Sequence, residues 1–279
     1  MIELGKIQEL EVKRHTSVGV FLNVKNSKKG DKDVLLPKKE VPEGTKVGDI
    51  LEVFIYRDFQ DRLTATTKRP KVVLGEVGLL KVVDITKIGA FLDWGLEKDL
   101  FLPFKEQSMK LEKGREYLIG LYIDKSNRLC GTMKIKDFLE SDSPYKEGDW
   151  VKGTIYNINE NFGAFVAVDN KYEGLIPKKE LIGVYVPGEE VDLRVTNVKP
   201  DGKLDLSLRD KFYIEIEDDA EYILNKTQEK GGILMLNDNS SPKTIRKELN
   251  MSKSAFKRAI GKLLKEGKIE FIEGGIRLK

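Results

Sequence analysis

One pattern of intervals constrains this chain more than its composition does, because it is written three times. The strings "SVGVFLNV" (17–24), "KIGAFLDW" (87–94) and "NFGAFVAV" (161–168) share a glycine, at Gly19, Gly89 and Gly163. A short apolar run ending in proline follows each, "VLLPKKE", "LFLPFKE" and "GLIPKKE", placing Pro37, Pro103 and Pro177. The glycine-to-proline interval is the same in the second and third copies, and in the first it is lengthened by the loop "KNSKKGDKD". Another glycine stands at one fixed interval beyond each proline, at Gly48, Gly114 and Gly188. At a further, nearly constant interval Leu63, Leu129 and Leu204 open "LTATT", "LCGTM" and "LDLSL". Repetition at held intervals marks a repeated structural unit.

Each unit is about 65 residues of short β-runs broken by turn signals, which argues an antiparallel all-β barrel of five strands. In the third copy the runs are "VKGTIYNI", "AFVAV", "EGLIP", "VDLRVTNV" and "LDLSL". Within the fourth, Val191, Leu193 and Val195 alternate with Asp192, Arg194 and Thr196, so one face is core and the other wet. The same period-two rule sorts the glycine motifs. Val20, Leu22 and Val24 face inward in copy one, Ala90, Leu92 and Trp94 in copy two, and Ala164, Val166 and Val168 in copy three. Phe21, Phe91 and Phe165 fall on the outer face. Phe162 joins Phe165 there only if Gly163 breaks the register with a turn or bulge.

After residue 213 the period changes from two to helical. The acidic stretch "IEIEDD" (214–219) reads as a linker, and "AEYILNKTQEKGG" as a helix stopped by Gly231 and Gly232. "SPKTIRKEL" has Ser241 as N-cap and Pro242 in the first turn. "KSAFKRAIGKLLKEG" is a longer helix ended by Gly267, and "KIEFIEGGIRLK" alternates around a glycine turn as a hairpin. Helix, helix, turn, helix, hairpin is a winged helix-turn-helix. Its last helix sets Phe256, Ile260, Leu263 and Leu264 opposite Arg258, Lys262 and Lys265, a basic face suited to nucleic acid. Positions 219–279 hold 13 Lys and Arg against 8 Asp and Glu, while positions 1–218 hold 36 against 38. The basic excess therefore sits at the C-terminal end.

The third copy, "GTIYNINENFGAFVAV…EGLIPKKEL…GEEVDLRVTNVKPDGKLDLSLRD", resembles the S1 RNA-binding domain, a five-stranded oligonucleotide-binding (OB-fold) barrel, over residues 148–210. The two earlier copies resemble it more loosely, and three such units followed by a winged helix are similar to the bacterial conserved virulence factor B family. The resemblance implies RNA binding and control of gene expression. S1 domains bind with two aromatics around the second strand, a histidine ending the third, and an aspartate and arginine flanking the last turn. Carried over by position, these are Phe162 and Phe165 in copy three, with Lys199 and Lys203 at the acidic and basic places. Copy two keeps Phe91, Asp124 and Arg128, and copy one keeps Phe21, Asp58 and Arg62. Pro37, Pro103 and Pro177 replace the histidine, and Val18 and Ile88 replace the first aromatic. No copy holds the full set.

Little else in the chain can carry chemistry. A single histidine (His15) and a single cysteine (Cys130) leave almost no material for a Cys/His metal site, a His-dependent mechanism or an internal disulfide. No P-loop or dinucleotide fingerprint is present, so no cofactor is expected. Apolar runs fall far short of the roughly 20 residues a membrane helix needs. The start "MIELGKIQEL" lacks a basic segment followed by a hydrophobic core, so a cytoplasmic location is expected.

The expected architecture is mostly β: S1-like barrels at 1–70, 71–139 and 144–213, then an α+β winged helix at 219–279. The expected function is non-catalytic binding of single-stranded RNA, with duplex nucleic acid as an alternative partner for the winged helix. Phenylalanines supply stacking faces, and Arg62, Arg128 and Lys203 hold phosphates. Rival readings are a DNA-binding transcription regulator whose barrels dock proteins, a scaffold for ribosome or RNA-degradation proteins, and phenylalanines that merely pack between barrels. Because copy three alone has both aromatics, it is expected to grip RNA best. Replacing Phe165 with alanine should then weaken RNA binding substantially with the fold intact, as read by titration at fixed salt.

Overall fold

The intervals translate directly into strands. A computed structural model describes every residue except 29–30, 182–184 and 209–210, and describes 211–215 by backbone alone. It divides into two units, Met1–Leu208 and Arg209–Lys279. The first barrel comprises β1 (Ile7–Thr16), β2 (Gly19–Asn23), β3 (Val34–Pro37), β4 (Ile50–Arg57) and β5 (Leu63–Thr66). Its strands close in the order β1-β2-β3-β5-β4, with β1 also paired to β4. The second comprises β6 (Val77–Ile85), β7 (Gly89–Asp93), β8 (Leu100–Pro103), β9 (Glu116–Ile123) and β10 (Leu129–Thr132), and the third β11 (Trp150–Asn159), β12 (Gly163–Val168), β13 (Tyr172–Pro177), β14 (Glu190–Val198) and β15 (Leu204–Ser207). In each, the long first strand is broken by a register shift, at Val12/Arg14, Val82/Asp84 and Ile155/Asn157. Such a bulge bends one strand enough to pair with neighbours on both sides of a closing sheet.

The glycine and proline of each repeat are cross-strand partners: Gly19 with Pro37, Gly89 with Pro103, Gly163 with Pro177. The backbones cross so closely there that a Cβ on the glycine would lie 2.1, 2.3 or 2.0 Å from the carbonyl oxygen of Leu36, Leu102 or Ile176. Only glycine fits that approach. Each proline then opens a one-turn 3-10 helix ending in a glutamate: Glu40, Glu106 and Glu180. That glutamate accepts a hydrogen bond from a hydroxyl on the last strand. The donors are Thr66, Thr132 at 2.9 Å and Ser207 at 2.9 Å, all buried.

The first and third barrels close through parallel β3–β5 and β13–β15 pairs. The second has no such ladder among the described residues; its hydrogen-bonded order runs β10-β9-β6-β7-β8 and stops. Across that gap Glu106 takes the Thr132 hydroxyl on its side chain and the Met133 N–H on its carbonyl, at 2.9 Å each.

Most predicted inward residues are core: Val20, Leu22, Ala90, Leu92, Trp94, Ala164, Val166 and Val168 are each at most 3% exposed, while Val24 and Val191 are only partly buried. The outer faces, however, are not all wet. Phe54 and Tyr56, outward on β4, belong to the second barrel's core cluster, where Phe54 meets the Trp94 ring edge-on at 5.7 Å. On the other side, Val77, Leu118 and Ile135 pack with Tyr156 and Ala167 of the third barrel.

The second unit comprises α1 (Lys211–Glu229), β16 (Ile233–Leu234), α2 (Pro242–Leu249), α3 (Lys253–Lys265), β17 (Ile269–Ile272) and β18 (Gly275–Leu278). Ser241 and Ser252 cap α2 and α3, accepting from the N–H of Thr244 (3.1 Å) and Ala255 (3.2 Å). One expectation is corrected and one is extended. Residues 214–219 are helix, not linker, because Ala220, Ile223 and Thr227, all buried, give α1 an inward stripe. The hairpin also gains a third strand, β16, which pairs with β18 on the side away from β17 and is too short for a sequence period to register. Among the described residues no helix is long and apolar enough to cross a membrane.

The clasp across the second barrel gives a ranking. Glu106→Ala should cost about 1–3 kcal/mol, since it orphans a buried hydroxyl. Glu180→Ala should cost less, because the β13–β15 pair remains. Urea denaturation followed through the buried Trp94 ring and through third-barrel signals tests this; equal losses would show that the clasp does not replace the ladder.

Candidate nucleic-acid interface

The glycine–proline crossing creates a corner on each barrel, and the residue ahead of the glycine is pushed into solvent. Val18 is 57% exposed, Ile88 68% and Phe162 62%. Each is held by its backbone, its carbonyl accepting the N–H of the residue after the proline: Lys38 at 2.9 Å, Phe104 at 3.0 Å, Lys178 at 3.0 Å. In the third barrel Asn159 Oδ1 also accepts from the N–H groups of Asn161 (2.9 Å) and Phe162 (3.2 Å), so the ring stands on an ordered turn. Gly163, at φ +118°, makes the register break that Phe162 needed to leave the core face.

The three strand phenylalanines lie on the outer faces but in unlike surroundings. Phe21 is covered by the Arg14 guanidinium, 4.1 Å above its ring, and Arg14 is paired with Asp33 at 3.5 Å. Phe91 lies 5.4 Å from Phe101 with the rings tilted by 43°. Phe165 lies 6.2 Å from Tyr156 and packs, partly buried, against the cluster joining the second and third barrels. Tyr56, another outward aromatic, is 8% exposed and serves the first junction.

The acidic and basic positions are turn-builders first. Asp58 Oδ1 accepts from the N–H groups of Gln60 (2.9 Å) and Arg62 (3.0 Å), while Oδ2 takes the Arg62 guanidinium at 2.7 and 2.9 Å. Burial alone would raise the Asp58 carboxyl, but the Arg62 guanidinium and these N–H groups outweigh it and hold it below the usual carboxylate range. Asp124 repeats the arrangement with Ser126 and the Arg128 N–H; its carboxyl is also lowered against the opposing effect of burial. The Arg128 guanidinium turns to another barrel, reaching Asp61 at 3.3 and 3.4 Å. In the third barrel Lys203 is ion-paired with Asp201 (3.0 Å) and Glu173 (3.6 Å), and Lys199 with Asp205 (3.1 Å). Their charges are thus partly answered from within.

A groove of about 600 Å³ lies where the first barrel's β4–β5 turn overhangs the second barrel. It brings Phe91, Asp124 and Arg128 together with Phe59, Ile88 and Phe101. Phe162, Phe165, Lys199 and Lys203 lie elsewhere, on the third barrel. Sequence reasoning missed Phe59 (73% exposed), Phe101 and Phe104 (70% exposed). The signals were present: an aromatic inside the charged turn "RDFQDR", and phenylalanines where the other copies have Leu35 and Leu175, or Lys38 and Lys178. The second barrel thus exposes Phe104 and brings Phe101 beside Phe91, while the third exposes Phe162 and Trp150.

On the winged helix the basic residues differ in availability. Lys262 pairs with Glu217 of α1 at 3.0 Å and with Glu266 at 3.6 Å, and Arg258 is partly buried. Lys265 is exposed, and the open face of α3 continues through Ser254, Lys257 and Gly261. Among the described residues no group of three His, Cys, Asp or Glu side chains is placed to hold a metal ion.

Most of the chain matches models of known domains. S1 domain models match residues 4–68 and 74–134, an S1 RNA binding domain model matches 145–209, and a CvfB-like winged helix domain model matches 221–278. The uncharacterized protein YitL of Bacillus subtilis is 32% identical over 277 residues, covering 95% of this chain and 90% of that one. Conserved virulence factor B of Staphylococcus epidermidis is 27% identical over 286 residues, covering 99% and 94%. A crystal structure of a multidomain protein with nucleic acid binding domains from Streptococcus pneumoniae is 27% identical, covering 99% of this chain and 98% of that one at a TM-score of 0.48.

The different settings of the two third-barrel phenylalanines separate in a melt. Phe162→Ala should leave the thermal midpoint unchanged, whereas Phe165→Ala should cost about 1–2 kcal/mol of lost burial. A loss of RNA binding in Phe165→Ala then reports junction damage as well as stacking. Equal destabilisation by the two changes would overturn the assignment of one ring to the rim and the other to the junction.

Proposed function

Because this chain belongs to the family of YitL and the conserved virulence factor B proteins, S1 domains followed by a CvfB-like winged helix, we propose that it is a non-catalytic protein that binds single-stranded RNA. It acts in the cytoplasm and regulates gene expression after transcription. One observation carries the reading: the same corner of all three barrels holds a large apolar side chain in solvent, at Val18, Ile88 and Phe162. Folding alone gives no reason to expose such a residue three times, whereas an unpaired base offers a π-face that any of them can cover. Stacking on the one aromatic among them, Phe162, is worth about 1–3 kcal/mol per base and tolerates any sequence.

Electrostatics favours weak individual sites. Positions 1–218 carry no basic excess, and the barrel lysines most relevant to a phosphate track are already ion-paired. Affinity then comes from linkage, since barrels on one chain present high effective concentrations to one strand. The winged helix adds basic charge through Lys257 and Lys265. A duplex-DNA reader would need that face to dominate, yet Lys262 at its edge is tied to Glu217.

Titration of the full chain with a labelled single-stranded RNA, competed by duplex DNA of the same length, tests the proposal. The RNA should win, its affinity should fall with salt, and Phe162→Ala should weaken it several-fold. Preference for the duplex, carried by residues 209–279, would replace this reading with the transcriptional one.

A further inference from the structure

The first two barrels are tied together at their last turns. Arg57 donates from Nε to the Asn127 carbonyl at 2.9 Å and from its guanidinium to the Asp61 carbonyl at 2.7 Å. Lys98 Nζ of the second barrel donates to the Asp58 carbonyl of the first at 2.9 Å. Asp58 in turn organises the 58–62 turn through the bonds described above, and Asp61 adopts a left-handed φ of +63° to complete it. A turn ordered on both sides nevertheless holds its largest residue, Phe59, in solvent at 73% exposure. Phe59 lines the groove together with Phe91, Phe101 and Ile88 of the second barrel.

We propose that this groove is a cross-barrel nucleotide cleft, in which one base of a single strand stacks between Phe59 of the first barrel and the Phe91–Phe101 pair of the second. The inference rests on the reading of the tandem barrels as single-strand binders and adds a composite site that neither barrel possesses alone. Its size is that of an ordinary small-ligand pocket, about 300–1,000 Å³. Rings bordered by guanidinium groups suit a nucleotide, which joins a π-face to an anionic phosphate. Arg128 is the phosphate ligand. It is 59% exposed, and its contacts to Asp61, at 3.3 and 3.4 Å, are longer than the roughly 2.7–2.9 Å of a strong charge-assisted bond. It can therefore turn from that partner to a phosphate without breaking a tight pair. Arg57 stays behind as the tether, since both its bonds are short backbone contacts. Only an unpaired strand exposes both faces of a base, so a duplex cannot use the cleft.

The test uses the full chain and a labelled single-stranded RNA of mixed sequence. Phe59→Ala should lower affinity about tenfold at an unchanged melting temperature, because the ring makes little of the fold. Phe59→Trp should bind like the parent, and its indole emission should be quenched as RNA is added. If the parent binds RNA and Phe59→Ala binds within about twofold of it, the cleft is overturned while the proposed function stands. Loss of affinity in Phe59→Ala that Phe59→Trp does not restore also overturns the stacking role. A parent that binds no single strand overturns both.

Discussion

A glutamate reaching back to a buried hydroxyl is the contact on which each barrel depends. The polypeptide must bring its third and fifth strands side by side, although they are joined through a fourth strand and two turns. Backbone pairing there amounts to one or two residue pairs in the first and third barrels. Glu40, Glu106 and Glu180 sit one helical turn beyond a proline, and the proline sits opposite a glycine that permits a close crossing. The clasp therefore requires all three parts of the repeat at once. A carboxylate donating nothing and accepting a hydroxyl in a buried setting is also directional, which apolar packing is not.

The same crossing generates the candidate interface. Lifting the chain over the third strand leaves the preceding residue without a neighbour on the outside, so an exposed position follows from barrel closure itself, but its apolar character does not. What occupies the corner then varies: valine, isoleucine or phenylalanine. Beside it the acidic positions, Asp58 and Asp124, act by ordering the last turn, and through it they place Phe59 and Arg128. Asp58 is held low by N–H groups and the Arg62 guanidinium, and Asp124 by N–H groups and the Ser126 hydroxyl, so both accept bonds within the protein before any ligand arrives.

The barrels differ mainly in what lies against their outer faces. The first gives Phe54 and Tyr56 to the second, and the third gives Tyr156, Ala167 and part of Phe165. Glycine again allows close approach at the second of these junctions, where a Cβ on Gly188 would lie 2.2 Å from the Glu116 carbonyl oxygen and one on Gly202 1.9 Å from that of Ser141. The middle barrel is thus covered on two sides, and the open groove at its first junction gathers aromatic surface from two chain segments far apart in sequence.

Period and interval were enough to read the five strands of each barrel, most of their inward residues, the last two helices of the second unit and the corner at Gly163, because each of these depends on neighbours a few residues away. The helix over 214–219 was legible too, in Ala220, Ile223 and Thr227, but the acidic run masked it. The candidate site was legible only in part. Alternation says that Phe165 and Tyr56 point out of their own barrels, but it cannot say whether another barrel covers them. It also treats Asp58 and Phe59 as one turn with one role, whereas the fold makes the first a staple and the second a free ring. Which outward residues meet solvent was decided by contacts between separate repeats, and such contacts leave no period in the chain that makes them.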